Sequence, residues 1–361
     1  MKGTLNLGKV AGIKIEVHWT FMLLLVWVVF SELQRGGTLI TSLFSVSLLL
    51  ILFVCVVLHE LGHALVAKRF NTKTQKITLL PIGGMATMDS IPEKPGQEML
   101  VALAGPAVNL AIALVLYLLV PVQAYLAMEP AQILETLNTL SPQTFLFYLF
   151  VANVMLVVFN LVPAFPMDGG RVLRSLLALW MDRVQATRIA AGLGEFMAVI
   201  FFFLGVLFNP FLILIALFIF ISAYGENQMV AQASLLEGHT VKEAMLTNLT
   251  KLHPENSMRE VVDAVMAGSE TDFIVIDRDK IVGVLYNKQI IAHARESEKL
   301  VEEVMQRSYK TVETGTEIKK VLALMGSEKR NFFPVVLDQQ LVGAIDMNNI
   351  SEYMLLKATK K

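Results

Sequence analysis

The chain has 361 residues, of which 55% are hydrophobic and 17% charged, and its formal net charge is −1. A mean hydropathy of +0.60 excludes an ordinary soluble globule and points to a polytopic membrane protein. The near-zero charge offers nothing to nucleic acid, and the single cysteine, Cys55, excludes an intramolecular disulfide framework and cysteine-built zinc sites.

In chain order, Met1–Glu16 carries Lys2, Lys9 and Lys14, and no small-residue cleavage site follows the apolar residues after it, so it reads as a retained segment. Six apolar spans follow, roughly Val17–Leu33, Leu43–Ala67, Glu98–Val120, Thr144–Val162, Ile189–Phe208 and Phe211–Met229. They define a transmembrane domain over residues 1–232. Basic residues collect on one side of it. Lys2, Lys9 and Lys14 precede span one. Lys68, Arg69, Lys73, Lys76 and Lys94 lie between spans two and three, and Arg171, Arg174, Arg183 and Arg188 between four and five. The alternate segments hold only Arg35, while Pro121–Pro142 carries Glu129 and Glu135. The positive-inside rule then expects both termini in the cytosol and the chain in the cell membrane.

Span two ends in Val56-Val57-Leu58-His59-Glu60-Leu61-Gly62-His63-Ala64. Ionisable groups at that depth are costly. On a helix His59 and His63 share a face, so their imidazoles can hold one zinc ion with Glu60 beside it as a proton acceptor. The bland alternative is a helix with surface histidines, which a lipid-compatible span makes poor. Two histidines are too few ligands, and span four supplies a third. In Asn160-Leu161-Val162-Pro163-Ala164-Phe165-Pro166-Met167-Asp168-Gly169-Gly170-Arg171 two prolines stop the helix, and Asp168 is the only carboxylate from Phe145 to Met181. Its bland role is the N-cap of a helix Gly169–Trp180.

Between these elements, Lys76–Leu80 and Met85–Met88 flank a Pro81-Ile82-Gly83-Gly84 turn and read as a short membrane-associated β-hairpin, whose edge could add an unwound substrate strand. Asn109 in span three and Asn153 in span four are lone amides, which in a helix bundle serve more often as interhelical bonds than as substrate clamps. Asn153 is assigned to packing.

After Gly238 the composition turns soluble and repeats. Phe273-Ile274-Val275-Ile276-Asp277 with Ile281-Val282-Gly283-Val284-Leu285 is echoed by Phe333-Pro334-Val335-Val336-Leu337-Asp338 with Leu341-Val342-Gly343-Ala344-Ile345. Two α/β units, 238–296 and 297–361, resemble a tandem pair of CBS domains. Many CBS domains bind adenosine nucleotides through a Ser/Thr three positions, and an Asp six positions, after the second-strand glycine. Here Tyr286 and Gln289 follow Gly283, and Asp346 and Asn349 follow Gly343. Both repeats depart from the pattern, which argues against nucleotide binding; homodimerisation through the pair is expected.

His59-Glu60-Leu61-Gly62-His63 and Asn160-x-x-Pro163-x-x-Pro166-x-Asp168-Gly169-Gly170, with Pro81-Ile82-Gly83-Gly84-Met85 and Ala104-Gly105-Pro106-x-x-Asn109, resemble the site-2 proteases. These are intramembrane zinc metalloproteases, and the similarity is to their bacterial and archaeal branch with a C-terminal CBS pair. The resemblance implies one zinc per chain on His59, His63 and Asp168, and Glu60 as catalytic acid/base. Substrate contacts fall to Asn109, Gly83, Gly84 and Met85. It further implies cleavage of a single-span, membrane-anchored regulatory protein. The rival from another class is a transporter or metal-responsive regulator with a structural zinc. Glu60 separates the two, since a structural site needs no carboxylate beside its histidines.

Overall fold

The computed structural model describes residues 3–81, 83–88, 92, 94–129, 132, 141–268 and 270–358. Two compact units emerge, Met1–Val230 and Ala231–Lys361.

The first unit opens with strands β1 (Thr4–Val10) and β2 (Ile13–His18). The signal for β2 is a period-2 alternation: Ile13, Ile15 and Val17 are buried while Lys14 points outward. The expected first span is therefore divided. Val17 and His18 finish a strand, and the helix that follows, α1 (Thr20–Gln34), has only 15 residues. At 1.5 Å per residue that is roughly 22 Å, short of a ~30 Å hydrocarbon core. Five helices among the described residues are long and apolar enough to cross a membrane. They are α2 (Leu39–Arg69), α3 (Pro95–Leu119), α5 (Pro142–Asn160), α7 (Arg183–Leu207) and α8 (Phe211–Leu235). Short helices α4 (Val122–Leu126) and α6 (Asp168–Leu177) intervene. Local chemistry sets the ends. Thr38 and Ser141 accept backbone N–H groups at the starts of α2 and α5, Asp182 does so for α7, and Lys68 and Arg69 meet the negative C-terminus of α2. Only 17% of the apolar windows of α2 and α8 is buried inside the protein. The other residues of those windows are half-buried or exposed, which leaves apolar surface for lipid.

Strands β3 (Thr74–Leu80) and β4 (Gly83–Met88) pair antiparallel and complete a sheet of order β1-β2-β3-β4. β2 and β3 are parallel, so the chain crosses over through α1 and α2 between them. Ile13 and Ile77 of the sheet pack on Leu61 and Ala64 of α2, which seats the sheet against the histidine turn. Ile82 of the expected turn, and Glu135 between spans three and four, lie outside the described residues.

The second unit holds two three-stranded sheets. One is β5 (Lys251–Leu252), β6 (Phe273–Asp277) and β7 (Lys280–Leu285); the other is β8 (Val312–Glu313), β9 (Phe332–Leu337) and β10 (Gln340–Asp346). The helices are α9 (Val241–Ala244), α10 (Met258–Ala267), α11 (Asn287–His293), α12 (Val301–Val304), α13 (Ile318–Glu328) and α14 (Met347–Ala358). The repeats exchange their first segments. Leu246 bonds Ala344 of the second sheet in both directions, at 2.8 and 2.9 Å, and Gln306 does the same to Val284 of the first, at 2.9 and 3.0 Å. Accordingly Val241 lies in the core with Phe333 and Val335, whereas Val301 and Val304 lie with Phe273 and Val275. Each core thus draws on both sequence repeats.

Candidate metal centre and substrate cavity

His59 and His63 occupy one face of α2, and both are buried. Asp168 is the first residue of α6; Met167 stands at the N-cap position and no side-chain cap is made. Asp168 is thus not the helix cap but turns its carboxylate onto the histidines. Gly169 and Gly170 permit this, because side chains there would collide with the backbone of residues 161–165. The loop itself is held by the Phe165 N–H donating to the Ala190 carbonyl of α7 at 3.2 Å.

His59 Nε2, His63 Nε2 and Asp168 Oδ2 lie 3.1 Å from one another in all three pairings. Each ring's other nitrogen is engaged. His59 Nδ1 is 2.5 Å from Asn109 Oδ1, and His63 Nδ1 is 2.7 Å from the Val101 carbonyl. Both partners are acceptors, so both Nδ1 atoms carry the proton and both Nε2 atoms present lone pairs. Two lone pairs and a carboxylate oxygen then converge with no donor among them. A cation resolves that arrangement. Ligands tetrahedrally placed ~2.0 Å from zinc lie about 3.3 Å apart, close to the observed spacing. The donor set fits zinc, and among the described residues it is the one His/Cys/Asp/Glu cluster able to hold a metal ion.

Helix α3 is shaped around this pair. A Cβ at Gly105 would fall 2.6 Å from His59 Nε2 and nearer still to His63, so only glycine lets α3 approach. Pro106 gives no N–H to the preceding turn, beside the carbonyl that His63 uses. These two residues account for the Ala104-Gly105-Pro106 signature.

Glu60, on the same turn of α2, faces a cavity of about 830 Å³ together with His59, His63 and Asp168. Its Cγ packs against β4, where a Cβ on Gly84 would come within 2.8 Å of it. Gly84 and Met85 line this cavity. Gly83 does not: it pairs with Leu80 at the hairpin end, at a φ of +135°, and serves the turn. Asn109, expected to touch substrate, is fully buried and absent from the cavity wall, its amide committed to His59 and Asn153. Asn153 makes the interhelical bond expected of a lone amide: its Oδ1 accepts from Asn109 Nδ2 at 2.8 Å. Sequence reading missed most of the remaining lining. Asn160 and Arg171 contribute polar groups, and Phe159, Phe201, Phe218 and Ile219 make an apolar wall. The aromatic residues give no signal of their own, because any apolar residue of a span could face lipid or cavity.

Arg174, counted above among loop cations, is fully buried. Its Nε donates to Glu98 Oε1 at 2.8 Å, its Nη2 to the same oxygen, and its Nη1 to Glu226 Oε1 at 2.6 Å. Arg183 adds a contact to Glu98 Oε2 at 3.2 Å, and the Arg174 guanidinium lies 4.8 Å over the Phe165 ring. This network ties α6, six residues beyond Asp168, to α3 and α8.

In the tail, a second cavity of about 580 Å³ is lined by residues including Asp272, Tyr286, Arg330 and Asp346. Burial raises the Asp272 carboxyl above its ordinary range. Asp346 Oδ1 accepts the Asn349 N–H at 2.8 Å and so caps α14. Glu243 is held down to about 2 by the Thr240 N–H, the Tyr353 hydroxyl and His239, and burial first, then Glu243, pushes Tyr353 up to about 12.

The chain is similar to several known proteins. The family model described as peptidase family M50 matches residues 47–204, and the CBS domain model matches 241–296 and 301–356. Zinc metalloprotease MJ0392 of Methanocaldococcus jannaschii is 34% identical over 362 residues, covering 100% of this chain and 99% of the relative. Stage IV sporulation protein FB of Bacillus subtilis is 28% identical over 142 residues, 39% of this chain and 44% of that protein. A solved site-2 protease from Methanocaldococcus jannaschii is 38% identical, covering 62% of this chain and 95% of that chain with a TM-score of 0.45.

Proposed function

This chain belongs to peptidase family M50, the site-2 protease group of zinc metalloproteases, with a tandem CBS pair behind its multi-pass membrane unit, and we propose that it hydrolyses a peptide bond within or beside the transmembrane segment of a single-span membrane protein. The observation that carries the reading is Glu60 facing the same apolar-walled cavity as the convergent His59, His63 and Asp168 donors.

His59, His63 and Asp168 would hold one zinc ion per chain. Bound there, zinc supplies Lewis acidity that makes water a nucleophile near neutral pH and polarises the scissile carbonyl. Glu60 takes the proton of the attacking water and returns it to the leaving amine. The aromatic wall of Phe159, Phe201 and Phe218 accepts the apolar side chains of a membrane segment and keeps bulk water out. A helical substrate hides its peptide bonds, so it must unwind. Among the described residues β4 is an edge strand, with Gly84 against Glu60, and its outer edge offers an extended segment a place to add. Met85 would line the first substrate pocket.

Lys68 and Arg69 close α2 just beyond His63, and by the positive-inside rule they support a cytosolic position for this end of the helix in a cell membrane. The parallel pairing of β2 with β3 holds the N-terminal strands at this same end of α2, with α1 running back to the start of that helix, and α3, α5, α7 and α8 make four further crossings. Both termini and the CBS pair would then lie on the cytosolic side, with cleavage near it and a membrane-anchored regulatory protein, released by the cut, as substrate. The paired tail supports homodimerisation, and Asp346, engaged as a helix cap, argues against nucleotide there.

Glu60→Gln tests the reading against a transporter or metal-responsive regulator. The variant should keep its fold and zinc, lose cleavage, and retain bound substrate in a pull-down. Undiminished proteolysis would overturn it.

A further inference from the structure

One buried polar chain remains unused by this mechanism. It starts at His59 on α2, passes through Asn109 on α3, and ends on Asn153 of α5. All three residues are buried, and the two asparagines are fully so. His59 Nδ1 lies 2.5 Å from Asn109 Oδ1; Asn109 Nδ2 donates to Asn153 Oδ1 at 2.8 Å; Asn153 Nδ2 donates to the Leu149 carbonyl at 2.8 Å and approaches Cys55 Sγ at 3.6 Å.

The chain has a direction, and its far end sets it. A backbone carbonyl can only accept, so Leu149 obliges Asn153 to present its amide nitrogen there and its oxygen to Asn109. Asn109 must then turn its own nitrogen to Asn153 and its oxygen to His59. An oxygen facing Nδ1 obliges that nitrogen to carry the proton, which leaves Nε2 with its lone pair aimed at the metal position. Reversing either amide would set two oxygens or two N–H groups against each other in a site without water-accessible surface, at a cost of about 1–3 kcal/mol per unmet group. His63 obtains the same tautomer directly, from the Val101 carbonyl. The two ligands thus use backbone carbonyls as their final references, one at first hand and the other through two side chains.

We propose that Asn153 is a positioning residue for the metal centre: acting through Asn109, it fixes the tautomer and ring orientation of His59 and so sets metal affinity. The inference rests on the metal-centre reading above. It predicts that Asn153 matters only while Asn109 is present. A side chain that merely packs between α2, α3 and α5 would contribute to stability whether or not Asn109 remained.

The test is a double-mutant cycle on the full-length protein in detergent, reading zinc affinity by competition with a chromophoric chelator, alongside thermal stability of the metal-free protein. Outer-shell partners of metal-bound histidines typically contribute 10–100-fold in affinity. Asn153→Leu should therefore weaken zinc binding by about 10-fold or more, and Asn109→Leu by at least as much. Asn153→Leu added to Asn109→Leu should change affinity less than about 2-fold. Asn153→Ser keeps a hydroxyl able to bond the Leu149 carbonyl but is too short to reach Asn109. It should therefore fold and still lose about 10-fold, which keeps the test decisive if the leucine variant does not fold. Asn153→Leu and Asn153→Ser proteins that bind zinc as tightly as wild type would overturn the proposal, as would an equal loss from Asn153→Leu in the Asn109→Leu background. A wild-type protein that bound no zinc would instead refute the metal-centre reading beneath it.

Discussion

Arg174→Met should destabilise the transmembrane unit by about 3 kcal/mol. The figure follows from which partners are left behind. Breaking a buried ion pair by removing one member costs about 3–5 kcal/mol, because the other charge stays desolvated. Glu98 is 2% exposed and would lose the guanidinium that donates to its Oε1, while Arg183 still reaches its Oε2. That residual pairing places the cost at the low end of the range. Glu226 is 20% exposed and can rehydrate, so it adds little. Arg174→Lys should lose much of the same energy, since one ammonium cannot supply a three-nitrogen fork to two carboxylates on different helices. For a unit of this size about 3 kcal/mol corresponds to a fall in melting temperature of roughly 6–12 °C, measured by circular dichroism in detergent. Removing the charges together, in Glu98→Gln/Arg174→Met, should recover at least half of the loss, because apolar or neutral replacement of a whole buried network is often near neutral. An Arg174→Met protein melting within about 2 °C of wild type would refute the reasoning, since no fully buried guanidinium should be removable at that cost.

Two further perturbations probe the site and the tail. Gly105→Ala places a methyl group 2.6 Å from His59 Nε2 and should abolish zinc binding in an equilibrium dialysis assay while leaving helical content intact. Glu243 carries a folded-state pKa of about 2, depressed below the ordinary 4.5 by its Thr240, Tyr353 and His239 partners. A depressed carboxylate contributes stability that is present above its unfolded value and is lost as pH falls through the folded one. Hydrogen-exchange protection at residues 240–246 should therefore decline from about pH 5 to about pH 2, and Glu243→Gln should remove that dependence. The effect is small, because this carboxylate is solvent-exposed and screened.

Much of the site is legible in the order of residues. The i, i+4 spacing of His59 and His63, with Glu60 between them, is a covalent fact once the segment is helical. The scarcity of carboxylates near the end of span four isolates Asp168 without any coordinates. The spans themselves follow from hydropathy, except the first. There, the alternation of Ile13, Ile15 and Val17 already spells a strand, and the apolar run into α1 hides it. Repeats in the tail are equally plain in one dimension, because each repeat must build a similar sheet.

What the three-dimensional packing alone decided concerns partners distant in sequence. Asn109 and Asn153 look alike as lone amides in apolar spans, and no local pattern tells a link in a ligand's hydrogen-bond chain from an interhelical bond. Only the approach of α3 and α5 to α2 makes them successive donors behind His59. Arg174 reads as an orienting surface cation until Glu98 and Glu226 close around it. The sequence picks out Asp168 as the third ligand, but only the packing shows how it reaches the histidines: Gly169 lets its turn sit flush on the loop before it, with Met167 at the N-cap position. Sequence specifies which groups exist and, within one helix, which share a face. Their hydrogen-bond roles depend on which acceptor each donor meets, and that is settled when separate helices pack and exclude water from between them.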